Sequence, residues 1–131
     1  MKHILIVDDS AVMRRSLRTL LEKGPDWDVC GEAENGCEGV DRAQKLHPDL
    51  IVMDLVMPVL NGIEASRLLK RLMPATPIVM FTSFTDPYIK ATALAAGPDA
   101  LIDKAEGATA LLNSIQGLLV SEIATPADSA A

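Results

Sequence analysis

The chain has 131 residues, of which 49% are hydrophobic and 23% charged, and these proportions are typical of one compact domain with a buried core. Its 12 Lys and Arg residues against 18 Asp and Glu residues give a net charge of -6, which argues against a nucleic-acid-binding surface. No apolar run approaches the roughly 18 residues of a membrane span, and no signal-peptide pattern follows Met1, so we expect a cytoplasmic protein without membrane association.

Five short apolar runs of strand length alternate with longer amphipathic segments. The predicted strands are residues 4–7, 29–33, 50–53, 78–81 and 100–102. Helical spacing of apolar residues follows each of them, most weakly over 88–96. The runs 4–7 and 78–81 are apolar throughout, which indicates strands buried on both faces of a parallel sheet. The sequence therefore predicts an α/β fold, a doubly wound five-stranded parallel sheet flanked by five helices.

The segments between these runs carry residues that begin helices. Ser10 is predicted to cap the first helix, and Asn35-Gly36 and Asn61-Gly62 are predicted to be strand-to-helix turns because helical spacing follows each pair. After Val120 the helical spacing is lost and small and polar residues dominate. We therefore expect one domain over residues 1–120 and a flexible tail or linker remnant over 121–131.

Four apolar side chains are also assigned a place. Trp27 is expected in the loop before the second strand, partly exposed on the surface. Leu94, Leu101 and Ile102 are expected to pack in the core rather than to form an exposed patch for docking or dimerisation.

Polar residues follow four of the predicted strands at the point where each strand ends. They are Asp8 and Asp9 after the first strand, Asp54 after the third, Thr82 and Ser83 after the fourth, and Asp103 and Lys104 after the fifth. Because the ligand crevice of an open parallel sheet lies beyond the carboxyl ends of its strands, we expect these side chains to lie close together. One Asp at a strand end often only caps the next helix, but capping explains neither the lysine nor the whole set.

Three of these residues, Asp8, Asp9 and Asp54, carry carboxylates that repel one another at close range. A divalent cation with oxygen ligands would offset this repulsion. Mg²⁺ suits such a site because it accepts one or two carboxylates and fills its other positions with water and phosphate oxygens. The residues therefore indicate phosphoryl transfer at this edge of the sheet.

The sequence disfavours two other kinds of phosphate chemistry. Aspartate phosphatases of the haloacid dehalogenase type carry a second Asp two positions after the nucleophile as general acid and base, and this chain has Val56 there. Gly31, Gly36 and Gly39 match neither of the common phosphate-binding glycine patterns. Rapid turnover of a substrate and nucleotide binding are therefore both disfavoured.

Four segments of the chain together resemble a known family. They are ILIVDDS at 4–10, MDLVMPVLNG at 53–62, VMFTS at 79–83 and LIDK at 101–104. In this order and at these strand ends, they resemble the receiver domain of bacterial two-component response regulators, and the match spans about residues 1–120. The resemblance implies a flavodoxin-like fold with strand order 2-1-3-4-5. It also implies a phosphoryl group transferred to Asp54 from a histidine kinase, a histidine phosphotransfer protein or a small phosphodonor.

The resemblance further implies the ligands of a Mg²⁺ ion, or of Mn²⁺ in its place. Asp9 and Asp54 would bind the ion directly, and Asp8 would bind it through water. The backbone carbonyl of Val56 would complete the protein ligands. This assignment agrees with the repulsion argument made from the residues alone.

Two more residues would convert the phosphoryl group into a signal. The resemblance implies that Lys104 pairs with one phosphoryl oxygen, while the Thr82 hydroxyl swings toward another and draws its loop inward. The implied output surface is the fourth helix, the fifth strand and the fifth helix, where a downstream protein would dock. The domain would be a monomer or a phosphorylation-dependent dimer. It would catalyse only its own phosphorylation and dephosphorylation.

Four positions depart from the family pattern or tune it. Leu101 stands where receivers commonly have Tyr or Phe, and Ala105 stands where many have proline after a cis peptide bond, so this part of the switch is expected to differ. Val56 and Phe84 occupy positions that tune phosphoryl lifetime, and both are apolar. Since no polar side chain there would orient an attacking water, we predict slow self-dephosphorylation.

The residues leave the output of the domain open. One hypothesis is a stand-alone receiver that docks other proteins or passes its phosphoryl group along a relay. Another is a receiver cut from a longer DNA-binding response regulator, with the C-terminal tail as the linker. The remaining alternatives are a degenerate receiver that acts by binding alone and a metal-dependent phosphatase that uses Asp54.

Overall fold

The computed structural model describes the backbone of residues 1–84 and 86–130 and the side chains of residues 1–84 and 86–120. Within these residues the strands are β1 (Lys2–Val7), β2 (Trp27–Ala33), β3 (Leu50–Met53), β4 (Ile78–Thr82) and β5 (Ala100–Asp103). The α-helices are α1 (Ala11–Leu21), α2 (Gly36–Leu46), α3 (Gly62–Leu72), α4 (Pro87–Ala95) and α5 (Gly107–Ala130), and a 3-10 turn, Lys104–Glu106, precedes α5. The predicted tail, 121–131, lies outside the residues whose side chains are described, so the domain boundary at 120 stays a prediction.

The strands form one parallel sheet in the order β2-β1-β3-β4-β5, which confirms the predicted doubly wound fold. Residues 4–7 of β1 and all of β4 are buried, as the continuous apolar runs 4–7 and 78–81 predicted, and β3 is also buried at every residue. The register pairs Val7 of β1 with Met53 of β3. The residues that follow these two strands therefore emerge side by side at the carboxyl edge of the sheet.

The helices cover both faces of the sheet. Successive side chains of a strand point to opposite faces, and β1 accordingly contributes to two core clusters. Ile4 and Ile6 pack with apolar residues of α1 and α5, while Leu5 and Val7 pack with apolar residues of α2 and α3. Among the described residues, no helix combines the length and the apolarity that crossing a membrane requires. With both faces covered, the carboxyl edge is where polar side chains gather.

Side-chain caps begin the first three helices, at the predicted cap Ser10 and at the asparagine of each predicted Asn-Gly turn. The Ser10 hydroxyl accepts a hydrogen bond from the backbone N–H of Met13 at 3.2 Å. The Asn35 and Asn61 side chains accept from the third residue beyond them, at 2.8 and 2.9 Å. Each cap satisfies a backbone donor that the first helical turn leaves free. These caps confirm both Asn-Gly pairs as strand-to-helix turns.

The structure corrects two of the predicted apolar placements. Trp27 is the first residue of β2 and is only 6% exposed, because it alternates with the outward-facing Asp28 and packs in the cluster between the sheet and α1 and α5. A Cβ on Gly24 would overlap its indole ring, so glycine is needed beside it. Leu94 is 47% exposed rather than buried, because Ala93 is the buried residue of the short helix α4.

The close approach of α3 to the backbone directly after β3 gives a paired prediction for two glycines. A Cβ on Gly62 would overlap the backbone oxygen of Asp54 and lie 2.9 Å from the Cα of Leu55, so Gly62→Ala should destabilise the fold by about 1–3 kcal/mol. A Cβ on Gly117 in α5 would meet nothing within 4 Å, so Gly117→Ala should stabilise it by about 0.5–1 kcal/mol through helix propensity. Urea denaturation measures both changes. Equal effects of the two substitutions would contradict this packing.

Candidate functional site

Three carboxylates meet where β1 and β3 end. Asp8 and Asp9 follow β1, Asp54 follows β3, and one oxygen from each lies within 4.8 Å of the others. Asp8 is buried, Asp54 is mostly buried and Asp9 is exposed to solvent. The parallel register of β1 with β3 produces this convergence, as the sequence predicted from the strand ends.

Lys104, which directly follows the edge strand β5, lies against this cluster. The Nζ atom of Lys104 is 3.2 Å from Asp8 Oδ2 and 3.4 Å from Asp54 Oδ2. Its ammonium group also lies 5.9 Å from the centroid of the Phe81 ring, within the range of a cation–π interaction. One positive charge is thus shared between two carboxylates, which offsets only part of their repulsion.

Backbone hydrogen bonds fix the two inner carboxylates. The N–H of Asp8 donates to the carbonyl of Ala33 at 3.0 Å, and Asp8 Oδ1 accepts from the N–H of Ser10 at 2.9 Å. The N–H of Asp54 donates to the carbonyl of Val7 at 2.9 Å. Asp54 Oδ1 accepts from the N–H of Leu55 at 2.7 Å. The carboxylates are therefore held in place before any ligand arrives.

The electrostatics of the site act most strongly on Asp54. Burial raises the pKa of Asp54, because a low-dielectric environment disfavours the carboxylate form. The positive charge of Lys104 lowers this pKa, and the negative charge of Asp8 raises it further. The net effect is a pKa above the ordinary value for Asp. A second positive charge at the site would favour the ionised form.

The donor set of the cluster fits a hard divalent cation. Asp8, Asp9 and Asp54 offer oxygen atoms alone, and Mg²⁺ prefers oxygen ligands and takes only one or two carboxylates directly. Val56 lies in the loop directly after Asp54 with a side chain that is 56% exposed. Its role as a carbonyl ligand, and the division between direct and water-mediated ligands, stay predictions.

The structure places Thr82 at the end of β4, and among the described residues its side chain forms no hydrogen bond with the three carboxylates. Thr82 ends β4 beside Asp103 of β5 and is 1% exposed. Its hydroxyl oxygen accepts a hydrogen bond from the N–H of Phe84 at 3.1 Å, which ties Thr82 to its own loop. Lys104 directly follows β5. The described residues contain no cis peptide bond, so the bond from Lys104 to Ala105 is trans. The motion predicted for Thr82 stays a prediction.

Sequence reasoning missed one residue that contacts the Asp8–Asp9 pair. Arg14 of α1 donates from Nη1 to the backbone carbonyl of Asp8 at 2.8 Å. Its Nε donates to Glu32 of β2 at 3.1 Å. A basic residue near the N-terminus of a helix opposes the helix dipole, and this local conflict was the signal that could have found it.

Comparison with known proteins assigns the family. The family model of the response regulator receiver domain matches residues 4–116. This chain belongs to the response regulator receiver domain family. The receiver domain is therefore a module of a two-component signalling system, as the resemblance of its four motifs implied.

Curated relatives of this receiver domain are longer proteins. The protein-glutamate methylesterase/protein-glutamine glutaminase of Alkalilimnicola ehrlichii is 46% identical over 102 residues, which are 76% of this chain and 26% of the relative. The transcriptional regulatory protein LnrK of Bacillus subtilis is 34% identical over 112 residues, which are 86% of this chain and 51% of the relative. The chain thus spans about a quarter of one relative and about half of the other.

Solved structures of receiver domains share the fold. The response regulator domain of Thermotoga maritima CheB superposes with a TM-score of 0.84 at 37% identity, over 91% of this chain and 96% of that one. A LuxR-family two-component response regulator from Aurantimonas sp. SI85-9A1 superposes with a TM-score of 0.87 at 30% identity, over 92% of this chain and 86% of that one. These likenesses confirm the flavodoxin-like arrangement.

The raised pKa of Asp54 predicts that Asp54→Asn stabilises the metal-free domain at neutral pH. The folded protein binds the Asp54 proton more tightly than the unfolded chain does, so stability falls as pH rises from the unfolded pKa through the raised folded pKa. The neutral Asn avoids this loss. Below the unfolded pKa of about 3.9, the gain should disappear.

Urea denaturation in the presence of a chelator, at neutral pH and below about pH 4, measures this difference. Asp41→Asn is the matched control, because Asp41 is 61% exposed on α2 and, within the described part of the chain, pairs only with Lys45. A loss of stability in Asp54→Asn at neutral pH, or a gain that does not depend on pH, would contradict the assignment.

Proposed function

We propose that this receiver domain accepts a phosphoryl group on Asp54 in a reaction that depends on Mg²⁺, or on Mn²⁺ in its place. The donor would be a histidine kinase or a histidine phosphotransfer protein, and the phosphorylated domain would control a downstream protein. The observation that carries the proposal is the convergence of Asp8, Asp9 and Asp54 within 4.8 Å beside Lys104.

The residues support a direct transfer to Asp54. An oxygen of the Asp54 carboxylate would attack phosphorus, forming an O–P bond while the N–P bond of the donor histidine breaks and the electron pair stays on the histidine nitrogen. The bound cation would neutralise charge on the phosphoryl oxygens. The hydrogen bond from the N–H of Leu55 orients the Asp54 carboxylate for this attack. Lys104 lies where it could pair with a phosphoryl oxygen on Asp54.

The same contacts suggest how phosphorylation becomes a conformational signal. Lys104 would exchange its carboxylate partners for the phosphoryl group. The Thr82 hydroxyl would donate its O–H to a phosphoryl oxygen and, since it accepts from the N–H of Phe84, would draw the β4–α4 loop with it. The output surface would be α4, β5 and α5, where Tyr88 and Leu94 expose 80% and 47% of their surface. Phosphorylation shifts the population only by the difference in these contacts between the two states.

The proposed role is that of a signalling module and not of an enzyme with an external substrate. Val56 stands where a phosphatase of the haloacid dehalogenase type needs its acid and base, so the domain would catalyse only its own phosphorylation and dephosphorylation. We place it in the cytoplasm, as a monomer or a phosphorylation-dependent dimer without nucleic-acid contacts of its own. The phosphoryl switch serves equally a stand-alone receiver and one within a longer regulator such as its relatives.

Intact-protein mass spectrometry after incubation with acetyl phosphate tests the transfer. We expect one phosphoryl adduct with Mg²⁺, none with a chelator, and none in Asp54→Asn because its side-chain amide is not a nucleophile. Asp103→Asn is the matched control, since Asp103 ends β5 but lies outside the acidic cluster, and it should keep the adduct. Absence of any adduct in the natural chain would favour a degenerate receiver that acts by binding alone.

The apolar side chains of Val56 and Phe84 predict a long-lived phosphoryl group on Asp54. Val56 and Phe84 line an adjoining cavity of about 290 Å³ whose other lining residues are apolar except Asn61, and the Asn61 side-chain oxygen caps α3. Neither Val56 nor Phe84 offers a polar group that would orient an attacking water. Val56→Gln should speed loss of the adduct roughly 10-fold or more, because a positioned polar group can assist water attack. Val59→Gln, at an 81% exposed position of the same loop, should leave the rate unchanged.

Adduct decay followed by mass spectrometry after removal of acetyl phosphate measures these rates. A half-life of seconds in the natural chain would refute the prediction of slow self-dephosphorylation. Equal acceleration by Val56→Gln and Val59→Gln would show that the effect comes from any change in the loop and not from the apolar side chain of Val56.

A further inference from the structure

Arg14 links three elements around the acidic pair. Its side chain on α1 is 17% exposed. Its guanidinium donates in two directions, from Nη1 to the carbonyl of Asp8 at 2.8 Å and from Nε to Glu32 Oε1 at 3.1 Å. A planar guanidinium presents its donors in a fixed geometry, so the two bonds together set the position of the Asp8 carbonyl relative to β2.

Glu32 provides the fixed anchor of this arrangement. It lies in β2, and its second oxygen accepts from Arg18 Nε at 2.8 Å. The hydrogen bond from Arg18 lowers the pKa of Glu32, and Arg14 lowers it further, against the opposing effect of burial. Glu32 is therefore ionised at neutral pH and can hold both guanidinium groups.

The carboxylate of Asp9 has no such support of its own. It is exposed, and among the described residues no hydrogen bond or ion pair involves its side chain. Its position therefore depends on the backbone that carries it. The peptide plane between Asp8 and Asp9 is rigid, so a bond that holds the Asp8 carbonyl also holds the Cα of Asp9. Arg14 makes that bond.

We propose that Arg14 is a positioning residue of the cation site, which holds the Asp8–Asp9 peptide so that the Asp9 carboxylate stays beside Asp54. This inference rests on the proposed function, because it concerns the same Mg²⁺ site. Arg14 touches neither the cation nor the phosphoryl group in this scheme. It acts through the backbone of its neighbour.

Removal of Arg14 should change Mg²⁺ affinity in opposite directions, depending on whether its charge or its positioning role dominates. The positive charge of Arg14 repels a cation, so its removal should tighten Mg²⁺ binding if charge dominates. Loss of the hydrogen bond to Asp8 frees the peptide, so removal should weaken Mg²⁺ binding if positioning dominates. Loss of a residue that orients metal ligands commonly weakens metal affinity by about 10–100-fold.

Isothermal titration of the unphosphorylated chain with Mg²⁺ alone separates the two effects. We expect Arg14→Met to raise the Kd for Mg²⁺ about 10-fold. Arg18→Met is the matched control, because Arg18 also bonds Glu32 but, among the described residues, forms no hydrogen bond with Asp8, and it should leave the Kd unchanged. Arg14→Lys keeps the charge but loses the two-way donor geometry, so it should recover only part of the affinity.

Thermal unfolding of the metal-free variants accompanies these titrations. An unchanged or lower Kd in Arg14→Met overturns the inference, even if its unfolding temperature falls, since Arg14 would then be only a structural residue. An equal rise in Arg18→Met also overturns it. If Arg14→Met does not fold, Arg14→Lys decides, and a Kd equal to that of the natural chain refutes positioning. Failure of the natural chain itself to bind Mg²⁺ would instead remove the proposed function.

Discussion

Repulsion among the carboxylates of Asp8, Asp9 and Asp54 is the constraint on which the rest of the site depends. The parallel register of β1 and β3 keeps their oxygens within 4.8 Å, where two unit charges repel by about 3 kcal/mol in an effective dielectric of about 20. Lys104 offsets part of this repulsion, while burial and, to a smaller extent, the charge of Asp8 keep the pKa of Asp54 raised. The fold thus maintains a site that gains stability from added positive charge.

This constraint also limits the switch that such a site can drive. Lys104 already contacts Asp8 and Asp54 before phosphorylation, so only the difference between its old and new partners contributes to switching. The Thr82 hydroxyl likewise starts with a partner in its own loop. The surroundings of Asp54 differ on its two sides. On the β1–α1 side, Arg14 bonds the Asp8 carbonyl and Glu32, and on the other side the apolar Val56 and Phe84 would not orient water for attack in the proposed scheme.

The strands and the acidic cluster could be predicted because both are local features of the sequence. A continuous apolar run marks a buried strand, and the residue after the run must lie at the carboxyl edge, which placed Asp54 and Lys104 correctly beside each other. Trp27 and Leu94 were misplaced because their burial depends on which distant element covers them. Arg14 was missed because its partners, Asp8 and Glu32, are brought to it only by the pairing of β1 with β2.

By itself, the sequence determined the order of elements, the cap of the first helix, the family motifs and the set of polar residues at the strand ends. These features depend on residue type and on spacings of a few positions, which are already present in the unfolded chain. Only the tertiary structure decided that Thr82 begins in contact with its own loop and that Arg14 holds the backbone of Asp8. Those contacts depend on distances of a few ångströms between segments far apart in sequence, which packing of the helices and sheet sets.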